Sequence, residues 1–298
     1  MSSADVAVSV FRKLEPEDYR VLLVIELGMS KHEFVPVSDL SNLAGLAHRQ
    51  IEFRLSRLNK LKLIRRRVGS YVGYALSTVG YDCLAINALV KSDVLAAFGK
   101  PLGIGKESDV FDALAPNNER VAAKFHRLGR TSFRQARRVR GYIADRGHIS
   151  WLFQSRLAAE KEFEALMLVF PCGVSVPRPV SHNRHVVVMG MIEGVDLYRV
   201  QELPEPAEVL DEILENVKLA YQAAGIIHAD LSEYNVILKP DYHVLVIDWP
   251  QFVTKDHPNA GMLLERDVHN VLQFFQKRFR TQRDLQETLD FVKKPIDV

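Results

Sequence analysis

Residues 226–238 read IIHADLSEYNVIL, and the apolar run VLVI that follows at 244–247 ends on Asp248. His228 and Asp230 form a His-x-Asp pair, Asn235 stands five residues after that Asp, and Asp248 lies 13 residues beyond Asn235. A carboxylate at the end of a buried strand must be paired or hold a cation, because burying it alone is costly. Taken singly, each residue reads as a structural Asp or a cap. Taken together they have the spacing of a phosphotransferase catalytic loop. There, one Asp orients the attacking hydroxyl and accepts its proton, and an Asn and a second Asp hold the metal. The loop and its short strand candidates sit among helical patterns, and the chain is read as α+β.

Upstream, Gly103-Ile104-Gly105-Lys106-Glu107-Ser108 lies between strands expected at 94–102 and 108–114. Glycines there let backbone N–H groups approach a phosphate, although a GxG is ordinarily a turn. This is not a P-loop, since Lys100 stands where its first glycine belongs and Glu107 where it needs Ser or Thr. Ser108 replaces a third glycine and offers a hydroxyl to a phosphate oxygen. The next expected strand, 120–125, carries Lys124 in the run VAAKF. Such a lysine is either a solvated edge residue or, after a glycine loop, the residue that pairs the α- and β-phosphates of ATP.

The remaining 1–91 segment has a different texture. Apolar residues over 19–27, then Leu40, Leu43 and Leu46, then Ile51, Leu55, Leu58 and Leu61 predict three helices. A hairpin around Gly69-Ser70 follows, and then a linking helix over 78–91. This order resembles a winged helix-turn-helix, whose third helix enters a nucleic-acid groove. Beyond it, helices are expected at 155–169, 207–223 and 263–280, with strands at 174–180, 185–192 and 244–247. The 298-residue length suits two domains, and 47% apolar with 26% charged residues excludes a disordered or collagen-like chain. Cys83 and Cys172 have no CxxC spacing, so a disulfide framework or zinc knuckle is not expected; reduced thiols point to the cytoplasm. No apolar run reaches about 18 residues, so no membrane span is expected, and the first residues lack the pattern of a signal peptide.

GIGKESDVF, AAKFHRLG, HADLSEYNV and IDWPQ together resemble the RIO family of atypical serine/threonine protein kinases. IDWPQ stands where ordinary kinases have Asp-Phe-Gly, and LSEYN replaces Leu-Lys-Pro-Glu-Asn. With the winged helix, nearly the whole chain is similar to the second RIO subfamily. The resemblance implies a winged helix-turn-helix domain at 1–91 and a reduced two-lobed kinase domain at 92–298. That domain would have an N-lobe to about 189, a hinge at 190–194 and a C-lobe beyond. Ala229 replaces a usual Gly, a change expected not to matter because both are small. Fifty residues follow Asp248, too few for a conventional activation segment and substrate platform. The lack of a C-terminal extension of the eukaryotic kind suggests an archaeal source.

The resemblance also implies site roles. Lys124 contacts phosphates, with Glu162 as its ion-pair partner and Glu160 and Glu164 as rivals. Met189 is the gatekeeper, and Gly190, Met191 and Ile192 form the hinge that bonds adenine. Asn235 and Asp248 hold Mg²⁺ (or Mn²⁺), and Asp248 accepts the γ-phosphate in an ATPase cycle. The family's setting is the pre-ribosomal small subunit and its rRNA, with a protein phosphoacceptor that includes the kinase itself, acting as a monomer. Two rival readings are a nucleotide-sensing regulator that binds nucleic acid, and a small-molecule phosphotransferase of the aminoglycoside-kinase type.

Net charge is only +2, but it is unevenly placed. Residues 48–67 hold eight Lys or Arg and one acid, and residues 124–146 repeat that count. Segregated basic patches favour nucleic-acid contact. The expected RNA-binding residues are Arg49, Arg54, Arg57, Lys60, Arg65, Arg66 and Arg67. The second patch, with Arg127, Arg130, Arg134, Arg137, Arg138 and Arg140, is too polar to pack and reads as a flexible loop, the family's insertion. Because every nucleotide motif follows Gly103, residues 94–298 are expected to bind ATP without the N-terminal module.

Overall fold

The computed structural model describes residues 2–128 and 151–296. Arg130, Arg134, Arg137, Arg138 and Arg140 of the second basic patch lie outside the described residues. The chain forms two compact units: 1–119 with 124–156 and 183–186, and 120–123 with 157–182 and 187–298.

The first unit opens with α1 (Ser3–Phe11), which the sequence patterning had left unassigned. Its signal is a capping box: Ala4 N–H donates to Ser2 Oγ at 3.3 Å, and Ser2 N–H donates to Asp5 at 2.7 Å. Helices α2 (Pro16–Gly28), α3 (Val37–Ala44) and α4 (His48–Lys60) follow. The α4 stripe holds at Ile51, Leu55 and Leu58, at most 1% exposed, while Leu61 is the half-buried residue just past the helix. Leu40 is buried, but Leu43 is 60% exposed and Leu46 lies past the end of α3, which stops at Gly45 with φ +59°. The hairpin is β2 (Ile64–Val68) and β3 (Val72–Leu76), with β1 (Val35–Pro36) on the other edge of β3. Helix α5 (Thr78–Lys91) passes so close to the hairpin base that a Cβ on Gly80 would sit 2.1 Å from the Leu63 carbonyl oxygen. Only glycine allows that approach.

Strands β4 (Ala97–Ile104) and β5 (Ser108–Leu114) form an antiparallel hairpin. With β6 (Arg120–His126), β7 (Pro179–Asn183) and β8 (Val186–Gly190) they make a sheet in the order β4-β5-β6-β8-β7. Along β5, Asp109, Phe111 and Ala113 alternate inward. The strand expected at 174–180 is displaced to β7. Pro177 and Pro179 cannot donate to a ladder, so 174–178 runs irregularly, tied by Ser175 N–H to Asn216 and by Val246 N–H to the Ser175 carbonyl.

The second unit is mainly helical. It contains most of α6 (Trp151–Val169), then α7 (Pro206–Gln222), α8 (Ala260–Phe279) and α9 (Leu285–Lys293). The last of these was not anticipated; it packs on α7, where Gln222 bonds the Val292 carbonyl. Two small sheets frame residues 226–254: β9 (Val195–Asp196), β11 (Val236–Leu238) and β12 (Val244–Val246), and β10 (Ile226–Ile227) with β13 (Val253–Thr254).

Candidate active site

Strand β10 delivers the chain to His228, and the β11–β12 hairpin returns it to Asp248. Asp230 is exposed at the loop surface. Asn235 is buried and donates from Nδ2 to the Asp230 carbonyl at 2.8 Å, which leaves Oδ1 as the atom able to bind a cation. The Ile247 N–H donates to the Asn235 carbonyl at 2.9 Å, so the residue before Asp248 is laced to the metal-ligand candidate. Asp230, Asn235 and Asp248 are therefore brought together.

Two backbone positions in this loop are unusual. Ala229 has φ +61° and Asp248 φ +68°, both in the left-handed region. Asp tolerates that region through its short polar side chain, whereas Ala is strained there by about 1–2 kcal/mol. The exchange of Gly for Ala at 229 therefore does matter, because what the position asks for is a dihedral angle and not a small volume.

The strain is held by groups that sequence patterning missed. Asp267 on α8, 1% exposed, accepts the Ala229 N–H at 2.6 Å and the Leu231 N–H at 3.2 Å. Burial pushes its pKa up to about 6; the two backbone bonds pull the other way, and the charge of Asp230 adds to the rise. Arg266 donates to the Ala229 carbonyl, and Asn270 to the Leu231 carbonyl at 3.1 Å. One signal for Asp267 was in the sequence: it interrupts the buried helical stripe Leu264, Val268 and Val271. Behind the loop, His228 packs on Trp249 with ring centroids 4.5 Å apart, and its Nε2 lies 3.0 Å from the Ile247 carbonyl oxygen. Trp249 donates to the Val246 carbonyl.

In the first unit, residues 103–108 form the tip of the β4–β5 hairpin. Gly103 pairs with Val110 and Ile104 with Asp109, and the Gly105 N–H donates to the Ser108 carbonyl at 2.8 Å. Lys106 and Glu107 are exposed there and Ser108 is half-buried. Lys124 on β6 is 7% exposed, so it is no solvated edge lysine. Glu162 on α6 is 2% exposed, while Glu160 is half-buried and Glu164 exposed. Met189 closes β8 as a buried residue, and Met191 and Ile192 are half-buried beyond it. Gly190 N–H donates to the Arg178 carbonyl.

The basic surface of the winged module divides in two. Arg49, Lys60, Arg65, Arg66 and Arg67 are exposed, although Arg67 also reaches the exposed Glu33 at 3.0 Å. Arg54 and Arg57 face carboxylates instead: Arg54 lies 2.7 Å from Glu15 and 3.3 Å from Asp18, and Arg57 3.1 Å from Asp18. Their charge is largely spent within the module, against the acidic start of α2. Arg127 also departs from expectation. Instead of joining a solvated loop it is 2% exposed, bonded to Asp82 and Asp109.

Comparisons with known proteins agree with these features. The family model described as the RIO domain matches residues 109–288, and the one described as the N-terminal domain of Rio2 matches residues 11–92. A RIO-type serine/threonine-protein kinase Rio2 from Methanocaldococcus jannaschii is 45% identical over 84% of this chain and 92% of its own. A serine/threonine-protein kinase rio2 from Dictyostelium discoideum is 37% identical over 90% of this chain, which spans only 51% of that longer relative. The crystal structure of a Chaetomium thermophilum Rio2 kinase in an ADP/Mg²⁺-phosphoaspartate complex aligns with a TM-score of 0.82 at 31% identity, covering 96% of this chain and 89% of the other. With a winged helix-turn-helix module, a reduced kinase-like fold and these relatives, the chain belongs to the RIO family of serine/threonine protein kinases, in its Rio2 branch.

Proposed function

We infer that this chain is an ATP- and Mg²⁺-dependent protein kinase and ATPase that acts in maturation of the small ribosomal subunit and binds pre-rRNA. The observation that carries the phosphotransfer assignment is the loop at 228–248: an exposed Asp230 whose carbonyl takes the Asn235 side-chain bond, and Ile247, the neighbour of Asp248, bonded to the Asn235 carbonyl. Mg²⁺ is a hard cation that takes one or two protein oxygens and completes its shell with phosphate and water. Asn235 Oδ1 and the Asp248 carboxylate suit it, and it would supply charge neutralisation at the phosphates. Asp230 orients the attacking hydroxyl and accepts its proton. The buried Lys124 and the hairpin tip at 103–108 bind phosphate oxygens, and Met189, Met191 and Ile192 line the adenine side.

The related Chaetomium structure holds ADP, Mg²⁺ and a phosphoaspartate, which supports Asp248 as an acceptor here. In that step an Asp248 oxygen bonds the γ-phosphorus, the bond from that phosphorus to the β,γ-bridging oxygen breaks, and ADP leaves; water then hydrolyses the acyl phosphate. RNA binding is supported by the exposed cluster Arg49, Lys60, Arg65, Arg66 and Arg67. The test is Asp230→Ala, with ATP binding, phosphoryl transfer and binding to pre-ribosomal particles measured together. Transfer should vanish while ATP and particles still bind; normal autophosphorylation in the variant overturns the assignment.

A further inference from the structure

Arg127 stands just past β6 and is the hub of a buried charge cluster. Its Nη1 and Nη2 donate to the two carboxylate oxygens of Asp82 at 2.7 and 3.0 Å, and its Nε donates to Asp109 Oδ2 at 3.0 Å. The guanidinium lies 5.1 Å from the centre of the Phe125 ring. His185 Nε2 is 2.7 Å from Asp82 Oδ1, and Ser2 Oγ donates to Asp109 at 2.7 Å. Burial would raise the Asp82 pKa, yet the Arg127 charge and the His185 bond hold it below the usual carboxylate range; burial keeps His185 below the usual imidazole value.

These partners come from distant parts of the sequence. Asp82 is on α5 of the winged module, and Asp109 directly follows Ser108. The Arg127 main chain also reaches the hairpin tip, where its N–H donates to the Glu107 carbonyl at 2.6 Å. A two-pronged guanidinium–carboxylate pair fixes direction as well as distance, and in a dry setting it tolerates little rearrangement.

We propose that Arg127 is a positioning residue for the nucleotide loop, anchored by Asp82, so that the winged module sets the affinity for ATP; this rests on the assignment of residues 103–108 to phosphate binding. Asp82 holds the Arg127 side chain, Arg127 holds the Glu107 carbonyl, and the loop is thereby kept in one shape. It also runs against the expectation that residues 94–298 bind ATP alone, since Asp82 lies outside them.

The experiment uses the full chain and three variants: Asp82→Asn, Arg127→Lys and Ser2→Ala. ATP and adenosine binding are measured by calorimetry, and exchange of the Arg127 amide is followed by hydrogen–deuterium exchange. Adenosine has no phosphates and does not need the loop. The first two variants should weaken ATP about tenfold, equivalent to about 1.4 kcal/mol, and change adenosine by less than roughly twofold. The Arg127 amide should exchange faster while the amides of β6 stay protected. If Arg127→Lys or Asp82→Asn loses its circular dichroism, Ser2→Ala gives the answer in the same direction at about threefold. Unchanged ATP affinity, or equal weakening of ATP and adenosine, overturns the proposal. A wild-type chain that binds ATP no better than adenosine instead overturns the phosphate-loop assignment.

Discussion

Asp267 Oδ2 accepts the amide hydrogen of Ala229 at 2.6 Å, and its other oxygen accepts that of Leu231. The two amides bracket Asp230, so one buried carboxylate sets the backbone on both sides of that residue.

With a pKa of about 6, Asp267 gains a proton as the pH falls through that value and loses one acceptor oxygen. Turnover should therefore decline below pH 6. Stability should not follow it. The folded chain holds this proton more tightly than an unfolded one, so the contribution of Asp267 to stability falls as pH rises from the ordinary Asp range toward about 6. The Asp267→Asn variant should lose the acidic limb of its rate profile, with a rate reduced at all pH values. A variant profile identical to wild type removes Asp267 from the loop's control.

Ala229→Gly should stabilise the chain by about 1 kcal/mol, because glycine enters the left-handed region without a Cβ clash, offset in part by its larger unfolded-state entropy. Denaturant unfolding of the two proteins checks this; a loss of stability would mean the Ala229 methyl makes packing contacts worth more than the strain.

Asn235→Ala should raise the Mg²⁺ concentration for half-maximal transfer about tenfold or more, since it removes one of two protein oxygens, and Asp248→Ala, which removes the acceptor as well, should abolish transfer at any Mg²⁺ concentration. Mg²⁺ titrations that superimpose on wild type would place the cation elsewhere.

The split of the winged-module cations yields a contrast. Arg65, Arg66 and Arg67 are exposed on β2, and replacing all three by Ala should flatten the salt slope of RNA binding by about 2 units or slightly more. Replacing Arg54 and Arg57 should change that slope less and should lower the melting temperature instead, because Asp18 is fully buried and would lose its partners. RNA binding against salt, with thermal melts of the same proteins, distinguishes the two sets.

The placement of the loop was legible because spacing survives folding: His228, Asp230, Asn235 and Asp248 are close in sequence and are joined by short hairpins. The α4 stripe was legible because a period of 3.6 is a local property. Leu46 misled because α3 ends at Gly45, just before it. Arg127 misled because it neighbours a run of exposed-looking arginines, while the acids that bury it lie 45 and 18 residues away in sequence. Asp267 belongs to no motif because it acts on main-chain amides, and its one trace is the break it makes in the apolar stripe of α8.

The Asp82–Arg127 pair has an evolutionary corollary. A chain that shed residues 1–91 would leave the guanidinium without the partner of both its terminal nitrogens, with water in place of a fixed carboxylate. The excised module would in turn keep Asp82 facing nothing of opposite charge on Arg127. Separating the two parts at this junction would therefore free the side chain of the residue that holds the Glu107 carbonyl, even though the sequence texture changes there. The two parts are therefore expected to be inherited as one unit, with the seam visible in composition and absent from the electrostatics.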